Sequence, residues 1–268
     1  MVLNVLQLTD FHIFSDHVAI FLPNHIKLFG VPTIKTLKDI LVKVVDLNIT
    51  FDHIIITGDL TSDEELISYQ TVKELLGDMI SKCKIIPGNH DDRKLIRKVF
   101  PECVENKNGP INFSISTNSW QLIGLDTHVS GKLYGTISDE TLLWLKSMLN
   151  KYKNKNTILF QHHPPIPVKT KWADLLGLKN PDPFIETLKQ NPQIRLISCG
   201  HVHQEFQGHL ENITIFTTPA TSVQFQKGTD FLKCDPIPPG FRIFSFDNDN
   251  WKSKIIRLDE LKYPPVEN

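Results

Sequence analysis

Residues 83–92 read CKIIPGNHDD, and the fold turns on how this stretch is divided. The first four residues are apolar enough for a short buried strand. Pro87 and Gly88 then punctuate it, and an amide, an imidazole and two carboxylates come directly after. Turn chemistry alone would account for Asn and Asp behind Pro-Gly, because their short side chains bond to nearby backbone. A polar cluster where a buried strand runs out is also where α/β proteins place their binding groups. The two readings separate on whether other strands end in the same way.

They do. Residues 2–8 read as a strand followed by TDFH, and residues 53–57 as a second buried strand that runs into TGD. Between them Ile34, Leu37, Ile40, Leu41 and Val44 recur at helical spacing, which makes the unit β-α-β. A helix over 63–80 leads to the strand at 83, and residues 111–116 and 120–126 form a hairpin across 117–119. A helix over 138–149 precedes the strand TILF at 157–160, which runs into QHH. Another over 183–190 precedes IRLISC at 194–199, which runs into CGHVH. HLENITIFTTPA and GFRIFSFD complete a mixed arrangement as antiparallel strands. Five polar clusters therefore sit at strand ends, and a sheet would gather them along one edge.

Composition bounds the partners. The chain has 268 residues, 40% of them hydrophobic, enough for one large core, and shows no repeat, low-complexity tract or linker. A single domain spanning 1–268 is expected. Twenty-nine basic against thirty acidic residues give a formal net charge of -1, so no global field favours nucleic acid or an acidic membrane. No stretch approaches the ~20 apolar residues of a membrane span and no basic leader precedes an apolar run, which reads as cytoplasmic. Cys83, Cys103, Cys199 and Cys234 are far apart without a C-x-x-C pair, so they read as buried thiols rather than a disulfide or cysteine-zinc framework.

Asp10-x-His12 and His201-x-His203 each place two ligand-type side chains at i and i+2, one face of extended backbone. With Asp59, Asn89 and His162 the donors comprise carboxylates, imidazoles and one amide oxygen. That mixture suits iron, manganese or zinc better than calcium or a thiolate-seeking metal. These seven donors are too many for one small ion. Two ions ~3.5–4 Å apart would use them all, the arrangement of hydrolases that act on phosphate esters. A lone histidine at a strand end is more often a satisfied structural group than a ligand; the case here rests on five clusters in register. The remaining histidines, His17, His25, His53, His128 and His209, lie outside the clusters and receive no role; His17 and His25 read as exposed loop residues.

Asp10-x-His12, Gly58-Asp59, Gly88-Asn89-His90-Asp91, His162-x-Pro164 and Gly200-His201-x-His203 stand in the order and spacing of the calcineurin-like metallophosphoesterase motifs, which this chain resembles from residue 6 to about residue 225. GDLTSD, HHPP, GHVHQE and TPATSVQF further resemble the class III cyclic-nucleotide phosphodiesterases, notably those that hydrolyse bacterial cyclic AMP. The resemblance implies a four-layer αββα sandwich of two mixed sheets flanked by helices. It also implies one metal on Asp10, His12, Asp59 and His203, and a second on Asp59 as shared bridge with Asn89, His162 and His201. Iron and manganese are the implied metals, with zinc as a further option. His162 is favoured over His163 because the family pattern is H-x-P. His12, Asp59, Asn89, His90 and His203 would contact the phosphate. His90, left without a metal, would steady the scissile phosphate and assist the leaving oxygen, with Asp91 or Asp92 orienting its ring; Asp91 is counted as its catalytic partner.

The activity so implied is hydrolysis of 3',5'-cyclic AMP to 5'-AMP by a hydroxide bridging the two metals, in a monomer or homodimer that binds a small cyclic nucleotide. The alternatives are a broader phosphodiesterase acting on 2',3'-cyclic nucleotides or aryl diesters, a nuclease, or a non-catalytic scaffold. A nuclease would want Lys and Arg clustered around the cleft, and none stand out. A scaffold would have lost donors that this chain keeps. Leu60, Thr61 and Ser62 stand where purple acid phosphatases place a tyrosine ligand.

Overall fold

The structure is a computed structural model of the chain, and it describes residues 2–15 and 28–266. Its first strand, β1 (Leu3–Leu8), shows how the layers arise from a period of two. Leu6 and Leu8 join a core packed with helical residues, whereas Val5 joins a different core shared with strands of a second sheet. The helices on the first side are α1 (Thr33–Asp46), α2 (Leu66–Leu76) and α3 (Arg93–Val99). Leu37, Ile40 and Val44 of α1, Val72 of α2 and Ile96 of α3 supply that core. Their spacing of three and four is the stripe a helix must bury.

The first sheet runs in the order β13-β12-β1-β2-β3, where β2 is His53–Ile56, β3 Cys83–Ile85, β12 Gly240–Asp247 and β13 Asn250–Arg257. β1, β2 and β3 are parallel, and β12 and β13 add antiparallel. The second sheet runs β4-β5-β6-β7-β9-β8, with β4 at Phe113–Ser116, β5 at Trp120–Leu125, β6 at Asn156–Gln161, β7 at Ile194–Cys199, β8 at Phe206–Leu210 and β9 at Ile213–Thr217. β5, β6, β7 and β9 are parallel, and the edge strands β4 and β8 are antiparallel to their neighbours. Between the sheets lie Val5, Ile55, Phe113, Trp120, Phe160, Leu196, Phe244 and others from both. The outer face of the second sheet packs Leu125, Leu159 and Ile197 against Leu145 and Leu149 of α4 (Asp139–Lys151) and Phe184 of α6 (Pro181–Lys189). The order of layers is thus helix, sheet, sheet, helix, as the sequence predicts.

Several boundaries differ from expectation. The helix expected over 63–80 begins only at Leu66, since the Asp63 carboxylate accepts from the backbone N–H groups of Ser15 and Glu65. It also breaks at Gly77, whose φ of +50° leads into a 3-10 turn, Gly77–Lys82. The short helices α3 and α5 (Lys171–Leu175), the two-residue strands β10 (Gln224–Phe225) and β11 (Cys234–Asp235), and the edge strand β13 have no counterpart in the sequence reading. No described helix is long and apolar enough to cross a membrane.

Candidate functional site

The parallel ladder of β1 and β2 does not stop where the strands end. Thr57 N–H donates to the Leu8 carbonyl, Asp10 N–H to Gly58, His12 N–H to Asp59 and Ile13 N–H to Leu60, at 2.9 to 3.1 Å. The loop carrying Asp10 and His12 is therefore held alongside the loop carrying Asp59. From the second sheet, Gly200 N–H donates to the His162 carbonyl at 3.1 Å, and His201 N–H reaches the Asp10 carboxylate at 3.1 Å. Loops from both sheets thus meet at one edge of the sandwich.

Close approach demands glycine here. Gly58 has φ +93°, and a Cβ on it would strike the Gly88 backbone; one on Gly88 would strike the Asp59 carboxylate, and one on Gly200 would meet Thr9 and Asp10. The donor residues themselves also bend: Asp10, His12, Asp59, His201 and His203 take φ of 57°, 52°, 53°, 72° and 50°. Aspartate and histidine tolerate the left-handed region better than most side chains, yet each such residue costs about 1–3 kcal/mol. Strain concentrated on five donors is the mark of a site whose geometry is imposed by its surroundings.

Apart from His90, every donor is almost out of water: Asp10 and His162 are fully buried, and Asp59, His12, His203, His201 and Asn89 are at most 7% exposed. Two groups form. His12 Nε2 approaches His203 Nε2 at 3.0 Å, with Asp10 Oδ1 3.4 Å from His203 Nε2. His162 Nε2 lies 3.1 Å from Asn89 Oδ1 and 3.3 Å from Asp59 Oδ2, and the same Asp59 oxygen lies 3.5 Å from His12 Nε2. Asp59 therefore stands between the groups.

Tautomers sharpen the geometry into a test for a cation. A carbonyl only accepts, so His162 must donate Nδ1–H to Thr57 O at 2.6 Å and His203 must donate Nδ1–H to Val223 O at 2.7 Å. In the neutral rings both Nε2 atoms are then lone pairs; that of His203 faces Asp10 Oδ1, and that of His162 faces Asn89 Oδ1 and Asp59 Oδ2. His201 Nε2 is buried with no partner at all. Acceptors converging in this way need positive charge among them, from a proton or from a metal ion. His12, Asp10, Asp59, His90, His162 and His203 each offer a ligand atom to such clusters, as does the trio His162, His163 and His201. The donors fit metal ions, and their mix of carboxylate, amide and imidazole suits divalent ones.

Electrostatics agrees. Burial opposes ionisation of Asp10 and Asp59, but the surrounding histidines, His203 and His162 foremost, hold both carboxyls below the usual range. Burial disfavours the cation on His162 too, yet the Asp59 carboxylate overrides it and lifts the ring to about 9. On His12 and His201 burial wins and pushes them down to about 3, leaving them neutral and ready to donate lone pairs.

His90 stands apart. It is half-buried, its ring centroid is 5.2 Å from that of His12, and its backbone N–H is pinned by Asp59 Oδ1 at 2.9 Å. Neither aspartate after it orients its ring, which corrects the sequence reading of Asp91 and Asp92. Asp92 caps α3 by accepting from Lys94 and Leu95 N–H at 2.6 and 2.8 Å. Asp91, 1% exposed, accepts from Gly88 N–H at 2.9 Å, Leu60 N–H at 3.1 Å and the Tyr69 hydroxyl at 3.1 Å. It ties the Asp59 and Asn89 loops together, and burial followed by the charge of Asp59 pushes it up to about 7. His163 holds Thr127 Oγ1 at 2.7 Å and the Leu133 carbonyl at 3.2 Å, so both its nitrogens are engaged away from the carboxylates, whereas His162 Nε2 faces Asn89 and Asp59. Ser62, 2.8 Å from His12 Nδ1, and His128, 2.8 Å from the Gly88 carbonyl, also serve the site and were not singled out from sequence. His53 and His209 lie on strands away from it, and His17 and His25 lie outside the described residues.

A dimetal phosphatase from Danio rerio shares the fold, with a TM-score of 0.69 at 13% identity over 99% of this chain and 97% of that one. The 3',5'-cyclic adenosine monophosphate phosphodiesterase CpdA of Vibrio vulnificus is 31% identical over 240 residues, 90% of this chain and 84% of that protein. A probable glycerophosphodiester phosphodiesterase GpdQ of Arcobacter nitrofigilis is 30% identical over 222 residues, 82% of this chain and 79% of that protein. A family model described as calcineurin-like phosphoesterase matches residues 3–205, from β1 through the loop that carries His201 and His203. Because that match takes in every loop that brings a donor to the sheet edge, the chain belongs to the calcineurin-like phosphoesterase family.

Proposed function

We propose that this phosphoesterase hydrolyses 3',5'-cyclic AMP to 5'-AMP at a two-metal site. The observation that carries the site is the convergence of buried ligand-type atoms, His162 Nε2, Asp59 Oδ2 and Asn89 Oδ1 in one group and His12 Nε2, His203 Nε2 and Asp10 Oδ1 in the other. One ion would be held by Asp10, His12, Asp59 and His203, the other by Asp59, Asn89, His162 and His201. The mixed oxygen and imidazole donors favour iron or manganese, with zinc tolerated. Bound ions of this kind acidify a water for in-line attack on phosphorus and neutralise charge that builds on the phosphate.

The chain's own residues do the rest. His12, Asp59, Asn89, His90 and His203 line the place where the phosphate would sit. His90 is the more exposed of these, as a group that meets substrate must be. Its ring would hydrogen-bond the departing 3' oxygen and hand it a proton, while the Asp59 carboxylate keeps its backbone in place.

Support for the cyclic nucleotide comes from the name of the Vibrio relative, a cyclic AMP phosphodiesterase, which aligns over nine-tenths of this chain. The Arcobacter relative favours a second reading, a broader phosphodiesterase that accepts acyclic diesters. A substrate panel with manganese-reconstituted enzyme separates them: kcat/KM for cyclic AMP should exceed that for cyclic GMP, 2',3'-cyclic AMP, glycerophosphodiesters and an aryl phosphodiester. Turnover of the others with none of cyclic AMP would overturn the proposal.

A further inference from the structure

The loop that carries Asn89 and His90 is fixed at both ends, and one of its anchors lies outside the family motifs. Gly88 N–H donates to Asp91 within the loop, but the Gly88 carbonyl accepts from His128 Nδ1–H at 2.8 Å. His128 comes after β5 on the second sheet, whereas Gly88 comes after β3 on the first. This contact therefore crosses the sandwich and sets the loop against the opposite half of the site.

His128 is itself held by a closed ring of bonds. Its backbone N–H donates to Asp126 Oδ1 at 2.9 Å, and its carbonyl accepts from Arg93 Nη2 at 2.7 Å. Arg93 grips the same Asp126 carboxylate with Nε at 2.6 Å and Nη2 at 2.7 Å. Arg93 is the first residue of α3, directly after the loop. The path from Gly88 through His128, Asp126 and Arg93 thus returns to the loop's far end and encloses Asn89 and His90. Asp126 is 2% and His128 9% exposed, so water competes little for these bonds.

We propose that His128 is a positioning residue of the phosphoesterase site: its Nδ1–H holds the Gly88 carbonyl and so fixes the loop that presents Asn89 and His90. The assignment uses the family's phosphoester hydrolysis and the proposed roles of Asn89 and His90, but does not require that cyclic AMP be the substrate. Supporting groups one layer behind metal ligands typically matter by ~10–100-fold in affinity or activity.

The test compares His128→Ala, His128→Asn and His128→Gln in the full chain. Asparagine places an N–H close to where Nδ1 stands; glutamine carries its amide one methylene farther out. Two readouts are taken: kcat and KM on an aryl phosphodiester, and amide hydrogen exchange of the segment 88–92, which involves no substrate. His128→Ala and His128→Gln should lose ~10–100-fold in kcat with little change in KM, and exchange in 88–92 should quicken while the rest of the chain stays as in wild type. His128→Asn should recover most of the rate and the slow exchange. Wild-type kcat and exchange in His128→Ala would overturn the assignment. So would equal defects in the alanine and asparagine variants, or a lowered Tm with kcat intact. Failure of cyclic AMP turnover in the wild type would instead count against the substrate alone, since neither readout uses it.

Discussion

Beneath the site, one buried amide clasps the two sheets together, and removing it is a sharp test of the sandwich. Gln7 of β1 is fully buried, donates to Thr57 Oγ1 at 3.0 Å, and accepts from Ser198 Oγ at 2.5 Å and Thr218 Oγ1 at 2.8 Å. Ser198 lies on β7 of the second sheet, and Thr218 comes directly after β9. Gln7→Leu keeps the volume but leaves two buried hydroxyls without their acceptor. An unmade buried hydrogen bond costs about 1–3 kcal/mol. Thr218 Oγ1 retains its bond from Arg242 Nε at 3.2 Å, which places the sum nearer the lower end, at about 2–4 kcal/mol. For a chain of this size that corresponds to a Tm lowered by roughly 4–8 °C. Thermal unfolding followed by circular dichroism measures it. A change below ~2 °C would refute the reasoning, because it would mean that the sheets do not depend on this clasp.

Asp59→Ala should lose metal as well as activity, since the carboxylate that stands between the two donor groups also carries the charge that compensates both cations; elemental analysis beside kinetics checks it, and a fully loaded variant would contradict it. His90→Ala should keep its metal while kcat on cyclic AMP falls by ~10²–10⁴, the range of positioned acid-base groups. The loss should shrink for an aryl diester, whose leaving group needs little protonation; equal losses on both substrates would remove the leaving-group role. Metal uptake should depend on pH in a stated direction. Because Asp59 raises His162 to about 9 in the metal-free protein, binding at pH 7 must expel that proton. Apparent affinity should therefore climb as pH rises towards about 9 and level off above it; a flat profile in a metal titration across this range would contradict the assignment of His162.

Much of the site was legible because its chemistry sits at strand ends. Buried parallel strands read as apolar runs, and the residues just beyond each run are positioned by the ladder itself, as the Asp10 to Gly58 and His12 to Asp59 backbone bonds show. The features that could not be read depend on contacts distant in sequence. Asp91 and Asp92 look alike beside His90, yet Tyr69, twenty-two residues away, takes one, and a helix start takes the other. His128 looked like any loop histidine until the fold brought it to Gly88, forty residues away. The edge strand β13 escaped because Lys252 and Lys254 take its exposed face and Ser253 stands between Trp251 and Ile255 on the other, which leaves no apolar run to read. α3 escaped because seven residues with an aspartate cap carry too short a stripe to stand out.

The central claim is that cyclic AMP hydrolysis depends on two ions seated between these loops. It is tested most directly by titrating metal-free protein with manganese while recording bound ions per chain and cyclic AMP turnover on the same samples. Turnover should stay low while the first ion binds and rise as the second does, levelling at two per chain. Full turnover with one ion, or two ions bound with no turnover of cyclic AMP, would contradict it.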